Sequence, residues 1–122
     1  MFKVRVYIKE SLNKGHGVFS KDFIPKGTIV WEFVEGFDLK VHKSQLDRLD
    51  EVQKEAVLKY FWREGDHLYS SCDCSMFQNH SDDPNSVSFG ESQMAASRDI
   101  HPEEEITVDY SDFDEEPSNS RR

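Results

Sequence analysis

The sequence predicts a single, mostly β domain that carries one helical insert. Short segments rich in β-branched and aromatic residues, such as residues 28–34, alternate with turns that contain glycine or proline. This pattern is typical of short strands joined by tight turns. In the middle of the chain, residues 44–64 instead space their apolar side chains as an amphipathic helix does. A length of 122 residues suits one domain with a modest hydrophobic core.

Strands are predicted wherever polar and apolar residues alternate or β-branched residues cluster. The N-terminal segment alternates in this way, and a polar turn with two glycines separates it from the next extended segment. A polar loop over residues 79–85 precedes the last three strands. The predicted strands are residues 2–9, 17–20, 28–34, 86–89, 93–97 and 105–110, with a mixture of strand and loop over 67–77.

The insert is predicted to contain one helix. Ser44 is followed by Asp47 at the third helical position, which resembles a capping box, and Gly65 is placed to end the helix. Because residues three and four apart share a helix face, one apolar face is expected. Its residues are Leu46, Leu49, Val52, Ala56, Tyr60 and Phe61.

The folded domain is predicted to span residues 1–113. Residues 114–122 contain acidic and small polar residues and a proline, so we expect an acidic, disordered tail. The N-terminus lacks the features of a signal peptide, and no apolar run is long enough to span a bilayer. We therefore expect a soluble intracellular protein that does not bind membranes, with nucleus and cytoplasm equally compatible with the sequence.

The chain is acidic. Asp and Glu number 24 against 15 Lys and Arg, which gives a formal net charge of −9. Such a field repels the phosphates of nucleic acids and attracts basic partners. Two interpretations stay open with equal weight: the charge steers a basic protein to a site, or it only keeps a small protein in solution.

The two cysteines, Cys72 and Cys74, are separated by one residue. A disulfide across a single residue would be strained, and a structural zinc site usually needs four ligands. We therefore predict two reduced thiols and no metal. A metal site formed by these cysteines and His80 is the less favoured alternative.

Three segments contain residues suited to chemistry. Residues 14–19, Lys-Gly-His-Gly-Val-Phe, include a glycine pair that lets a ligand approach the backbone closely. Residues 77–85, Phe-Gln-Asn-His-Ser-Asp-Asp-Pro-Asn, form a polar loop with side-chain amides that donate and accept hydrogen bonds. Residues 104–110, Glu-Glu-Ile-Thr-Val-Asp-Tyr, place a tyrosine at the end of a strand. Each segment alone also has an ordinary structural explanation: a turn, a self-satisfied loop and a buried ring.

In this order, and with Ala-Ser-Arg-Asp-Ile at residues 96–100, the three segments resemble the SET domain of protein lysine methyltransferases. The resemblance runs from about Val6 to Tyr110 and is similar to small, stand-alone viral and bacterial SET proteins. It implies a β-clip fold of several small sheets with a helical insert. It also implies a pseudoknot, in which the last segment passes through a loop beside the Asn-His-Ser segment.

The resemblance further implies transfer of a methyl group from S-adenosylmethionine to the ε-amine of a lysine. The substrate is a basic protein such as a histone tail, the product is S-adenosylhomocysteine, and no metal takes part. Tyr110 corresponds to the catalytic tyrosine of the lysine channel, and Phe33 and Val108 correspond to residues that contact the substrate. The residues expected at the cofactor are Lys14, Gly15, His16, Gly17, Asn79, His80 and, as a closing residue, Phe113.

The sequence departs from the family pattern at several points, and the first and last of those named next leave an alternative function open. Phe33 stands where a tyrosine is common, Glu103 stands where a glycine is usual, and the cysteine-rich flanking modules are absent. A homodimer could supply the cover that those modules provide elsewhere. The alternative function is a non-catalytic module on the same fold that binds basic peptides.

Overall fold

The computed structural model describes residues 1–12, 14–90 and 92–114. Within this part of the chain, short strands alternate with a few helical segments. The strands are β1 (Val6–Ser11), β2 (Gly15–Ser20), β3 (Ile29–Glu32), β4 (Leu39–His42), β5 (Trp62–Glu64), β6 (His67–Ser70), β7 (Ser86–Ser88) and β8 (Gln93–Ala96). The helical segments are α1 (Glu51–Tyr60) and 3₁₀ helices at Lys43–Arg48, Cys74–Phe77 and Tyr110–Asp112.

The strands form three small antiparallel sheets. β1 pairs with β2, β8 lies between β3 and β7, and β6 lies between β4 and β5. The predicted fold class, mostly β with several small sheets and a helical insert, is confirmed. Because none of the sheets is large, the hydrophobic core has to be completed by segments between them.

The core forms where the β3–β8–β7 sheet meets the chain that follows β8. Its burial removes apolar surface from water, which is the main driving force of folding. The buried cluster consists of Ile24, Val30, Trp31, Met94, Ala96, Ile100, Ile106, Val108 and Tyr110. Phe33, Trp62 and Phe113 are partly buried and pack against it, so the core continues into the region that the sequence predicts to be functional.

The predicted strand over residues 105–110 is wrong in detail. Instead of one ladder, the segment forms single bridges on two sides, Glu105 with Phe19 and Val108 with His80. The Ile106 amide donates to the Val18 carbonyl at 2.8 Å, and the Ser81 amide donates to the Val108 carbonyl at 2.9 Å. Because the partner changes from β2 to the 79–85 loop after two residues, no continuous ladder can form.

Asn85 fixes the 79–85 loop around residues 104–110, which pass between this loop and β2 and are called the threaded segment. Its side chain is 1% exposed and donates to Glu104 Oε2 at 3.1 Å and to the Glu105 carbonyl at 2.7 Å. Its Oδ1 accepts from the Thr107 amide at 2.9 Å. An amide suits this position because it donates and accepts at the same time. The arrangement supports the pseudoknot that the family resemblance implies.

The helical insert also differs from its prediction. The 3₁₀ helix Lys43–Arg48 has His42, not Ser44, as its N-cap and Leu49 as its C-cap. The helix α1 then begins after its own N-cap, Asp50. Asp50 Oδ1 accepts from the Gln53 amide at 2.8 Å, and Gln53 Oε1 accepts from the Asp50 amide at 3.2 Å. This reciprocal capping box starts a new helix, so the insert contains two helices in place of one.

The expected apolar face of the insert does not pack into the core. No residue of α1 is buried, and Val52 on that face is 76% exposed. Gly65 lies in the turn between β5 and β6 at a φ of 58°, well after α1 ends at Tyr60. No helix in the described residues is both long and apolar enough to cross a membrane.

The predicted domain boundary at residue 113 leaves out one folded residue. Asp114 is 4% exposed, and its Oδ1 accepts from the Arg63 amide at 3.1 Å. This contact attaches the C-terminal turn to β5. The rest of the predicted tail, residues 115–122, lies outside the described residues.

Asp38 is a buried carboxylate that joins two loops. It accepts from the Val34 amide at 2.8 Å, from the Cys72 amide at 2.9 Å and from the Met1 ammonium at 3.0 Å. Burial alone would raise the pKa of the Asp38 carboxyl, but the hydrogen bonds from Cys72 and Val34 and the ammonium hold the pKa below its ordinary value. The folded state therefore favours the ionised form of the Asp38 carboxyl.

We predict that Asp38→Asn lowers the free energy of unfolding by about 1–3 kcal/mol at pH 7, because buried amides lose a charged acceptor. A lowered folded-state pKa gives stability that is present above the ordinary aspartate pKa and lost as the pH falls through the folded value. The difference from wild type should therefore shrink at pH 3. Urea unfolding at both pH values measures it. Asp83→Asn, at a side chain that is 93% exposed, is the control, and an equal loss in both variants would contradict the assignment.

Glu103 has a left-handed backbone, with φ at 70°. Its amide donates to the Ser20 carbonyl at 2.7 Å, which fixes the turn against β2. A residue with a side chain is strained in this region, whereas glycine is not. The conformation suits glycine, and it makes the glutamate a tolerated but unfavourable residue.

Glu103→Gly should raise the free energy of unfolding by up to about 1 kcal/mol, because relief of backbone strain outweighs the extra entropy of an unfolded glycine. Glu10→Gly in β1 is the control and should lower stability, since glycine has no conformational advantage in a strand. Thermal or urea unfolding measures the change in stability of both variants. A loss of stability in Glu103→Gly would show that the turn is not strained.

Candidate active site

The three sequence motifs meet at the Asn79 side chain. Its Nδ2 donates to the His16 carbonyl at 3.0 Å and to Glu105 Oε2 at 2.7 Å. His16 belongs to the glycine-containing segment at the start of β2, and Glu105 belongs to the threaded segment. One amide therefore holds together residues that lie 63 and 26 positions away along the chain.

Gly17 is at the point of closest approach. A Cβ atom built on it would lie 2.4 Å from Glu105 Oε2 and 3.1 Å from Asn79 Nδ2. Gly15 differs, because a Cβ atom there would meet nothing within 4 Å, although its φ of 71° favours glycine. The first glycine is thus needed for backbone conformation and leaves open space beside it, and the second is needed for packing.

His80 connects the glycine-containing segment to the segment of residues 104–110. Its carbonyl accepts from Lys14 Nζ at 2.7 Å, and its Nδ1 accepts from the Tyr110 amide at 3.1 Å. Because Nδ1 is an acceptor, the ring hydrogen of the neutral form resides on Nε2, which lies 2.8 Å from Asp82 Oδ1. The ring is therefore held in a single tautomer and orientation.

Tyr110 is 3% exposed, and its hydroxyl donates to the Gln78 carbonyl at 2.6 Å. Its ring lies 5.4 Å from the His80 ring and 6.3 Å from the Phe113 ring, measured between centroids. The preceding Asp109 caps the short 3₁₀ helix that begins at Tyr110. Hydrogen bonds from the Ser111 hydroxyl and amide lower the pKa of the Asp109 carboxyl, so it is ionised at neutral pH.

A cleft of about 580 Å³ opens beside this group. The two predicted substrate residues, Phe33 and Val108, line it together with Phe113. Gln78, whose carbonyl accepts the Tyr110 hydrogen bond, also lines the cleft. The hydroxyl of Tyr110 is therefore one hydrogen bond from a residue of the cleft wall.

Aromatic rings form much of the wall. Trp62 stacks on Tyr69 at 5.6 Å and meets Trp31 and Phe113 edge-on at 5.9 and 5.8 Å. Phe33 meets Tyr69 edge-on at 6.0 Å. Rings in this arrangement attract cations over their faces and exclude water from the space between them.

Sequence reasoning missed Trp31, Trp62 and Tyr69. Two of them are brought together by the register of the β4–β6–β5 sheet, in which Tyr69 pairs with Lys40 on one side and Trp62 on the other. Lys40 Nζ lies 5.8 Å from the centre of the Tyr69 ring. Among the described residues, the acidic ones that line the cleft are Glu64, Asp112 and Asp114 and the basic one is Lys40, so acidic side chains outnumber basic ones there.

The structure therefore sorts the predicted site residues into two adjoining groups. One group surrounds Asn79 and His80, and the other lines the cleft. Phe113 belongs to the cleft and touches Tyr110 of the first group. The first group comprises Lys14, Gly15, His16, Gly17, Asn79, His80 and Tyr110, and the second comprises Phe33, Val108 and Phe113.

Cys72 and Cys74 are free thiols. Burial raises the pKa of the Cys74 thiol, and the nearby Asp73 carboxylate adds to the effect. A raised pKa keeps a thiol protonated and poorly nucleophilic. Among the residues that the structure describes, no group of three or more His, Cys, Asp or Glu side chains is arranged to hold a metal ion.

A family model described as the SET domain matches residues 15–111 of the chain. The chain belongs to the SET-domain family. The match runs from the first glycine of the site to the residue after Tyr110, so it contains both groups of predicted residues except Lys14 and Phe113. No curated protein matches the sequence significantly.

Solved structures that are similar in fold include histone methyltransferases. A candidate histone methyltransferase of Plasmodium falciparum is 19% identical, with a TM-score of 0.61, over 88% of this chain and 94% of that chain. The methyltransferase domain of human SETMAR, a histone-lysine N-methyltransferase, is 24% identical, with a TM-score of 0.66, over 90% and 45%. A chain of the Chaetomium thermophilum Polycomb complex bound to S-adenosylmethionine is 21% identical, with a TM-score of 0.68, over 94% of this chain and 16% of that chain.

Proposed function

We propose that this SET domain transfers a methyl group from S-adenosylmethionine to the ε-amine of a lysine in a basic protein. The observation that carries the proposal is the convergence of the three motifs at Asn79 and His80, directly beside an aromatic cleft. Membership of the SET family and the likeness to histone methyltransferases support lysine methylation in general.

The residues of the first group fit the cofactor. Lys14, Gly15 and His16 are exposed, and the space beside Gly15 is open, so a ligand can lie against the backbone here. Asn79 keeps its amide oxygen as an acceptor, because Nδ2 makes the bonds to His16 and Glu105. When bound, S-adenosylmethionine supplies an electrophilic methyl group on a sulfonium sulfur.

The cleft suits a lysine side chain that must lose its proton before it reacts. A lysine amine has a pKa of about 10.4 in water, and an aromatic, poorly hydrated wall disfavours the charged form. Phe33, Trp62 and Tyr69 provide such a wall. Holding the amine in one orientation supplies a further part of the rate.

Tyr110 is the proposed catalytic residue. Its hydroxyl is fixed by the Gln78 carbonyl and its amide by the His80 ring, so the phenol oxygen has a defined position at the boundary between the two groups. From there it orients the lysine amine by a hydrogen bond. Fixed dipoles of this kind act without the reorganisation that water would require.

A basic substrate fits the charge of the protein. The formal net charge is −9, and in the part of the chain that the structure describes, Glu64, Asp112 and Asp114 line the cleft with one cation, Lys40. Complementary charge raises the rate of encounter more than the final affinity. Histone tails are rich in lysine and arginine, and two of the compared proteins are described as acting on histones, so a histone tail is the substrate we propose.

One observation favours the alternative function, a binding module for basic peptides. Phe33 lines the cleft without a hydroxyl, so one polar contact to a substrate amine is missing. The module would bind a basic peptide in the cleft without turnover, and it would not need S-adenosylmethionine.

The deciding experiment combines calorimetry with an assay of methyl transfer. Purified protein is titrated with S-adenosylmethionine and then incubated with labelled cofactor and core histones or a cell lysate, and modified lysines are located by mass spectrometry. Cofactor binding with label on lysine supports the enzyme. Peptide binding without cofactor binding supports the module, and cofactor binding without transfer to any lysine contradicts catalysis.

Tyr110→Phe should lower kcat by roughly 100-fold while the dissociation constant of S-adenosylmethionine changes by less than about threefold. The reason is that the phenol acts on the amine, whereas the backbone contacts of residue 110 are retained. Tyr7→Phe, at a ring that stacks on Phe19 in β2, is the matched control and should leave both quantities unchanged. Equal losses of turnover and cofactor affinity would contradict the role of Tyr110.

A further inference from the structure

We infer that Glu105 is a positioning residue: its carboxylate holds the glycine segment and the Asn79 amide in the arrangement that binds the cofactor. The cofactor part of this inference rests on the proposed function. The geometric part, a coupling between Glu105, Gly17 and Asn79, does not depend on it. No motif of the sequence analysis gave Glu105 a role of its own.

Both oxygens of the Glu105 carboxylate are engaged at short distances. Ser11 Oγ donates to Oε1 at 2.7 Å, and Asn79 Nδ2 donates to Oε2 at 2.7 Å. Ser11 ends β1 and pairs with Gly15 across the hairpin, and it is 5% exposed. Hydrogen bonds to an ionised carboxylate are about twice as strong as neutral ones, so Glu105 ties the end of the hairpin to Asn79.

The direction of the Glu105 side chain is itself fixed by its backbone. Glu105 forms an antiparallel bridge with Phe19, and the neighbouring Ile106 amide donates to the Val18 carbonyl at 2.8 Å. The carboxylate therefore projects along β2 toward Gly17. Only a residue without a Cβ atom leaves room for it there, since that atom would lie 2.4 Å from Oε2.

Glu105 also selects the orientation of the Asn79 amide. An ionised carboxylate only accepts hydrogen bonds, and the His16 carbonyl likewise only accepts. Asn79 must therefore turn its NH₂ group toward both of them. The amide oxygen Oδ1 then faces away from Glu105 and accepts no hydrogen bond within the described residues. It is offered to a donor on the ligand, such as an ammonium group.

The substitution that tests this orientation is Glu105→Gln. Glutamine has the same shape but can also donate to Oδ1, so it weakens the preference for one orientation and leaves only the His16 carbonyl to set it. We expect the affinity for both S-adenosylmethionine and S-adenosylhomocysteine to fall by about tenfold or more, because both ligands carry the same amino-acid end. Calorimetry well below the unfolding temperature measures both. Glu55→Gln on the exposed surface of α1 is the matched control and should change neither affinity.

A double-mutant cycle tests the contact directly. Gly17→Ala alone should weaken cofactor binding by about tenfold or more, because the new methyl group displaces the carboxylate. In the Glu105→Ala background the same substitution should cost less than about threefold. The added methyl group would also come close to Asn79 Nδ2, but this atom is the end of a side chain that can shift. The same non-additivity should appear in urea unfolding without any ligand.

The two levels of the inference fail in different ways. If wild-type protein binds neither ligand, the proposed function is wrong, and the unfolding cycle still decides whether Glu105 and Gly17 are coupled. If wild type binds the cofactor and Glu105→Gln binds it equally well, the positioning role is wrong. Additive effects of Gly17→Ala and Glu105→Ala in both measurements would overturn the geometric part.

Discussion

The passage of residues 104–110 between β2 and the 79–85 loop is the constraint on which the site depends. Hydrogen bonds on both sides fix this segment, from Ile106 to Val18 and from Ser81 to Val108. Residues that are far apart in the chain meet only because of it, and the entropy of closing such long loops has to be offset by the contacts. Asn85 contributes to that offset, since each of its side-chain polar groups is paired.

Threading also explains why binding and packing are combined in the same residues. Asn79 and His80 each use some of their polar groups to hold residues 104–110, and their other polar groups contribute to the candidate site. Tyr110 is likewise a core residue at 3% exposure, and its hydroxyl donates to the carbonyl of Gln78, a residue that lines the cleft. Substitutions here will rarely affect function without affecting stability, and for this reason affinity and unfolding have to be measured together.

Much of the fold and of the first group of site residues could be predicted because their signals are local. Short alternating segments gave the strands near β2, β3, β7 and β8, and the order of three motifs gave the family. The insert shows where local signals compete. Asp50 and Gln53 have the same capping potential as Ser44 and Asp47, and only the structure shows that Asp50 starts α1. Propensity does not tell which of two adjacent caps tertiary structure will use.

The threaded segment was misread for a different reason. Residues 105–110 have the composition of a strand, but a strand needs one partner along its whole length, and this segment changes partner after two residues. The aromatic wall was missed because it depends on register. Tyr69 faces the cleft beside Trp62 and Lys40 in the observed pairing, and a shift by one residue would turn it to the other side of the sheet. No local pattern specifies that register.

In the proposed function, the charge and the hydrophobicity of the cleft would have opposite effects on the protonation of a substrate lysine. Acidic residues attract the ammonium form and raise its pKa, whereas aromatic walls favour the neutral amine. Backbone amides already pair with two of the acids, Ser88 with Asp112 at 2.7 Å and Arg63 with Asp114 at 3.1 Å. These hydrogen bonds stabilise the carboxylates in place and occupy acceptor positions that an incoming ammonium would otherwise take. Under the proposed function, the acids would therefore contribute a field that draws a basic segment to the cleft, while the rings of Phe33, Trp62 and Tyr69 would favour the neutral form of the lysine amine.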